Sequence, residues 1–113
     1  MGFEITEWKG RTRKVRGQFE GQQIEFEYRS HAYTAEESGK LIAEIIDEKR
    51  PFDERTAANI RMLADTIVDW NVEIHGEKLP VNIESISSLP SDLVWFLSEL
   101  MTKDKEIAKK QNR

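Results

Sequence analysis

Residues 11–29, with the sequence RTRKVRGQFEGQQIEFEYR, predict an antiparallel β-hairpin whose loop is Glu20-Gly21. The glycine accepts the positive φ angle that a tight turn needs. In the register that this loop sets, one face of the hairpin is apolar and the other pairs opposite charges. A slip of one residue would lose both patterns, so the register is well specified. The predicted pairs are Phe19 with Gln22, Gly17 with Ile24, Val15 with Phe26, Arg16 with Glu25, and Lys14 with Glu27.

The residues before this hairpin predict a further strand. Phe3–Trp8 alternates apolar and polar side chains, which is the period of a half-buried strand. Lys9-Gly10 has the composition of a turn. Met1–Glu4 lacks the positively charged segment and apolar run of a secretory signal, so we expect no signal peptide here.

A helix is predicted after the hairpin, from about Ala35 to Lys49. Thr34-Ala35-Glu36-Glu37 is a capping box, in which the side chains of the first and last residues each bond the other's backbone N–H. Pro51 ends the helix. The expected buried stripe of this helix is Leu41, Ile42, Ile45 and Ile46.

A second helix is predicted from Asp53 to about Asp69, and its short connection to the first predicts an antiparallel helix pair. Its apolar stripe is Ala57, Ile60, Leu63, Ala64, Ile67 and Val68. The chain from Trp70 to Val81 reads as an extended stretch bent at His75-Gly76. Asn82 is expected to cap a single helical turn over Ile83–Ser88.

The last predicted helix starts near Pro90, a residue favoured in the first turn. Its stripe is Leu93, Phe96, Leu97, Leu100 and Met101. Residues 103–113 are charged and almost without apolar residues, so they predict either a frayed helical extension or a disordered tail. The sequence therefore predicts a single α+β domain over residues 1–102, in which a hairpin or small sheet packs with three main helices, followed by a charged, flexible tail over residues 103–113.

Composition favours a non-catalytic protein. The chain has 113 residues, a formal net charge of −4 and no cysteine, which excludes disulfides, thiolate metal sites and a cysteine nucleophile. His31 and His75 have no histidine or cysteine neighbour at metal-ligand spacing. No phosphate-binding or nucleophile motif is present. We therefore expect no catalytic residues, no cofactor and no metal.

Membrane and nucleic-acid roles are also disfavoured. The longest apolar run, Leu93–Leu97, is too short to span a bilayer. Neutralising phosphates needs an excess of basic residues, which this acidic chain lacks overall. The one basic cluster, Arg11–Arg16, is either a nucleic-acid patch or one side of the charge pairs across the hairpin, and the second interpretation is favoured.

Val94 and Trp95 are the candidate protein-binding residues. Trp95 lies two residues after Leu93 and two before Leu97, so it projects roughly 100° or more from the main stripe of its helix. A second apolar edge on one helix is typical of an oligomer or partner interface. Burial in a wide core would produce the same pattern, and the two interpretations stay open.

A set of linked motifs covers roughly half to two-thirds of the chain, in the segments Tyr33–Glu36, Ile67–Val72, Gly76–Val81, Ile83–Ile86 and Leu89–Leu93. Together these motifs resemble the tail assembly chaperones of long-tailed bacteriophages. The resemblance rests on a helix that leads into Asp69-Trp70, a Gly-x-x-x-Pro-Val bend, a short helix, a Leu-Pro helix start and an upstream Tyr-Thr-x-Glu helix start. It departs from the family pattern at Asn71, where Asp is commoner, and in a shortened bend after Trp70.

The resemblance implies a role in tail assembly. Such chaperones coat the tape measure protein in the host cytoplasm before the tail tube protein polymerises around it, and they are absent from the finished particle. Many are made in two lengths by a ribosomal frameshift. The resemblance thus implies three partners: the tape measure protein, the tail tube protein and further copies of the chain. The alternatives are a structural virion protein, such as a head–tail or tail-terminator component, and a small nucleic-acid-binding module.

Overall fold

The computed structural model describes residue 2 and residues 4–111 and shows an α+β fold. Three antiparallel strands form a sheet in the order β1-β2-β3, and a second pair of strands forms a small hairpin. The elements, in chain order, are α1 (Ile5–Lys9), β1 (Thr12–Phe19), β2 (Gln22–Arg29), α2 (Ala35–Ile46), α3 (Phe52–Thr66), β3 (Ile67–Trp70), β4 (Glu73–Ile74), β5 (Glu77–Lys78), α4 (Ile83–Ser87) and α5 (Ser91–Gln111).

The β1–β2 hairpin has the predicted loop and register. Glu20 and Gly21 have φ angles of 49° and 82°, as a two-residue turn with two left-handed positions requires. Val15 pairs with Phe26, and the two side chains are buried on the apolar face. Arg16 and Lys14 lie opposite Glu25 and Glu27 in the predicted register. The alternating pattern of side chains and the Glu20-Gly21 loop were therefore sufficient to predict the register of this hairpin.

The predicted N-terminal strand is wrong, because Ile5–Lys9 is the short helix α1. The Glu4 carboxylate accepts hydrogen bonds from the backbone N–H and the hydroxyl of Thr6, which caps the helix. Ile5 and Trp8 are three residues apart, a spacing that also suits one face of a helix. Phe3, the first residue of the predicted strand, lies outside the described residues.

The third strand of the sheet replaces the last turn of the predicted second helix. α3 ends at Thr66, and the chain continues as β3, which pairs antiparallel with β2. Ile67 and Val68, which we assigned to a helical stripe, are β-branched residues that suit a strand. Trp70 lies opposite Phe26, is buried, and donates from its indole nitrogen to the Leu79 carbonyl at 2.8 Å.

The remaining local predictions are confirmed with small changes in their limits. The Thr34 hydroxyl accepts from the Glu37 N–H at 3.2 Å, and the Glu37 carboxylate accepts from the Thr34 N–H at 2.9 Å. α2 ends at Ile46 rather than at Lys49. His75-Gly76 forms the bend between β4 and β5, and Asn82 caps α4.

The core lies between the sheet and helices α3, α4 and α5. α5 contacts both β1 and α3, so two sides of this helix are covered. The buried apolar cluster is Val15, Phe26, Tyr28, Leu63, Ile67, Trp70, Val72, Ile86, Leu93, Val94, Leu97 and Met101.

α5 continues as one helix to Gln111, so of the two alternatives predicted for residues 103–113 the structure shows a helical extension. Asp104 accepts from the Arg13 guanidinium at 2.8 Å and from the Tyr28 hydroxyl at 2.6 Å. Tyr28 is fully buried, so these bonds attach the first turn of the predicted tail to the sheet. Residues 112 and 113 lie outside the described part of the chain. No helix in the described part is long and apolar enough to cross a membrane.

Candidate protein-binding groove

The apolar face of α2 is not buried, contrary to the prediction from its stripe. None of the residues of this helix is buried, and the side chains of Ile42 and Ile46 are 52% and 64% exposed. Leu41 and Ile45 are only partly buried. We call these four side chains the α2 face. The amphipathic pattern correctly predicted a helix, but α2 packs mainly against α3, and the core does not cover its apolar side.

The α2 face forms part of a large open groove of about 1490 Å³. α3 contributes Asn59 and Met62 to its lining, and α5 contributes Trp95 together with one side of its later turns. Methionine side chains are flexible and polarisable, which suits surfaces that accept varied apolar partners. An open groove between helices, with an apolar wall, has the form of a site for a partner helix.

Two buried polar atoms beside this groove have no hydrogen-bond partner among the described residues. They are Oδ1 of Asn59 and the indole nitrogen of Trp95. The Asn59 side-chain amide donates to the Ser98 hydroxyl at 3.2 Å, so only its oxygen is unsatisfied. A buried polar group without a partner typically costs about 1–3 kcal/mol. These two atoms leave hydrogen-bonding capacity unused where α3 and α5 line the groove.

The structure separates the two residues predicted to bind a partner. Val94 is 2% exposed, belongs to the core and does not line the groove, which for this residue agrees with the second interpretation, burial in a wide core. It is buried because α5 is covered on two sides. Trp95 is partly buried, lines the groove and stacks on Phe52, with ring centroids 5.9 Å apart. Its role in binding stays a prediction.

The basic cluster Arg11–Arg16 is divided between different environments. Arg16 forms an exposed ion pair with Glu25 at 3.4 Å, and Arg13 pairs with Asp104. Arg11 instead lies over the ring of Trp8, 4.4 Å from its centroid, and Trp8 stacks on His31. These three residues line one end of the groove. The pKa of His31 is lowered, first by burial and then by the positive charges of Lys105 and Arg11.

No protein-family model, no curated protein and no solved structure matches this chain with significant similarity. The groove was not foreseen because a stripe such as the α2 face has the same pattern whether it contacts the protein's own core or a partner. The only sequence signal near it was the position of Trp95 off the main stripe of α5.

Proposed function

We propose that this protein is a non-catalytic binding protein of the tail-chaperone type, which holds an amphipathic helix of a partner protein in the groove. The observation that carries the proposal is the exposed α2 face. An apolar helix surface that remains open to water costs free energy of solvation, and covering it on binding recovers that free energy. The groove gives this surface a concave shape in which a helix fits.

The resemblance to tail assembly chaperones supports a particular set of partners. The tape measure protein is the primary partner in this proposal, and the tail tube protein and further copies of the chain are secondary ones. A tape measure is a long helical protein with apolar stripes, and a charged protein that covers those stripes would keep it soluble before assembly. The site of action is the host cytoplasm, and the protein leaves before the particle is complete.

The test is co-expression with a tape measure protein from the same genome. We expect the wild-type protein to raise the soluble fraction of the tape measure protein and to co-purify with it. Ile42→Glu/Ile46→Glu should lower both by at least tenfold, because it places two charges on the apolar wall of the groove.

The matched control is Ile83→Glu. Ile83 on α4 is 52% exposed, the same fraction as Ile42, but it does not line the groove. The proposal is contradicted if Ile83→Glu and the α2 double variant affect co-purification equally. Detection of the protein in purified particles would instead support a structural virion component.

A further inference from the structure

The groove is much more basic than the protein as a whole. Although the chain has a net charge of −4, six cationic and only two acidic side chains line the groove. None of the acidic residues of α2 is among them. The lining charges are Arg11, Arg13, Arg29, Lys103, Lys105 and Lys109 against Glu99 and Glu106. The positive charge of the lining therefore comes from elements other than α2.

Several of these cations have no carboxylate partner within the described residues. Of the six, only Arg13 forms an ion pair there, with Asp104. Lys105 is partly buried and lies 5.9 Å from the centroid of the Tyr28 ring. Lys109 follows one turn later on the same helix, and like charges at this spacing repel each other. The pKa of Lys105 is lowered, first by burial and then by Lys109.

The positive charge of Lys105 also acts on a histidine in the loop between β2 and α2. His31 precedes α2. Its pKa is lowered mainly by burial and further by the positive charges of Lys105 and Arg11. Arg11 precedes β1 and Lys105 lies on α5, so two separate parts of the chain bring positive charge to this end of the groove. A basic surface without neutralising carboxylates, beside an apolar wall, favours a partner that carries both apolar and acidic side chains.

We propose that the groove recognises an acidic amphipathic helix of a partner protein. Its apolar stripe would lie against the α2 face and Trp95, and its carboxylates would face Arg11, Lys105 and Lys109. α2 has 12 residues, so at 1.5 Å per residue the apolar wall is about 18 Å long and accommodates roughly three helical turns. This inference rests on the proposed function and adds the charge of the partner.

The experiment compares two synthetic helical peptides that carry the same leucine and isoleucine stripe. One has glutamate on the flanks of the stripe and the other has lysine. We expect the acidic peptide to bind at least tenfold more tightly than the basic one by fluorescence anisotropy. This preference should shrink as salt concentration rises, because salt screens charge pairs at the rim.

Lys105→Gln/Lys109→Gln should weaken binding of the acidic peptide at least fivefold and leave the basic peptide unaffected or better bound. The matched control is Lys14→Gln/Lys110→Gln, which removes the same net charge from positions outside the groove lining. Circular dichroism and the urea midpoint establish that both variants fold.

Each other outcome overturns the inference in a different way. Equal binding of both peptides, lost in Ile42→Glu/Ile46→Glu, would leave the groove as a binding site without charge selection. Absence of peptide binding, with tape measure binding retained, would show that the partner does not use this groove. A concentration-dependent dimer in analytical ultracentrifugation that disappears in Lys105→Gln/Lys109→Gln would assign the groove to a second copy, whose own α2 is acidic.

Discussion

α5 and α2 are both amphipathic helices, but the protein buries them to very different extents. α5 buries five residues against the sheet and α3, whereas α2 buries none. Leu97 on α5 is fully buried, and Ile42 on α2 is 52% exposed. The difference shows that α5 is a structural helix of the core, while α2 presents an apolar face that the rest of the described chain leaves open.

The largest effect should come from removing equivalent apolar groups from the two helices. We expect Leu97→Ala to lower the free energy of unfolding by about 2–5 kcal/mol, as is typical for a buried leucine. Ile42→Ala should change it by less than about 1 kcal/mol, since half of this side chain is already in water. Urea denaturation of both variants measures the difference. Similar losses would mean that α2 is part of the core in solution.

The hairpin and the capping box could be predicted because the information is local. In the hairpin, one alternating pattern and one Gly-containing loop determine every pair from Lys14 to Phe19. Thr34 and Glu37 are three residues apart, so their mutual bonds follow from helix geometry. In these two cases the local pattern was sufficient, whereas at α1, which also has a local cap, the alternation of side chains predicted a strand.

Three other missed features depend on distant partners. Asp104 was counted as part of a solvated charge run, but it bonds Arg13, which is 91 positions away in the sequence. Ile67 continued a helical stripe, and only pairing with the hairpin makes it a strand residue. The exposure of the α2 face could not be predicted, because helical spacing shows that a face is apolar without showing what covers it.

A second comparison is between two acidic residues of α5: Asp104, which bonds the sheet, and Glu106, which is exposed. Asp104→Asn should lower the free energy of unfolding by about 1–3 kcal/mol near neutral pH, because charge-assisted bonds to Arg13 and Tyr28 are lost. The pKa of Asp104 is lowered from its usual value of 3.8, mainly by the hydrogen bond from Arg13. Its contribution is therefore present above the unfolded pKa and is lost as pH falls through the folded pKa.

The measurement is urea denaturation of both proteins between pH 7 and pH 2. The stability difference between wild type and Asp104→Asn should be constant down to about pH 5 and should shrink as pH falls further. Glu106→Gln is the control, because Glu106 lies two residues away and is exposed. A difference that does not depend on pH would contradict the assigned role of the Asp104 charge.

The smallest effect should come from Gly39, in the middle of α2. A Cβ atom added at Gly39 would have nothing within 4 Å, whereas at Gly17 on β1 it would lie 2.8 Å from a methyl group of Leu100. Gly39→Ala should therefore raise the free energy of unfolding by about 0.5–1 kcal/mol, because alanine loses less backbone entropy in a helix. Gly17→Ala should lower it, since Leu100 and Phe96 would have to move apart. Urea denaturation gives the sign of each change. A loss of stability in Gly39→Ala would mean that another surface packs closely against this side of α2, and the helix would then be less open than the groove geometry indicates.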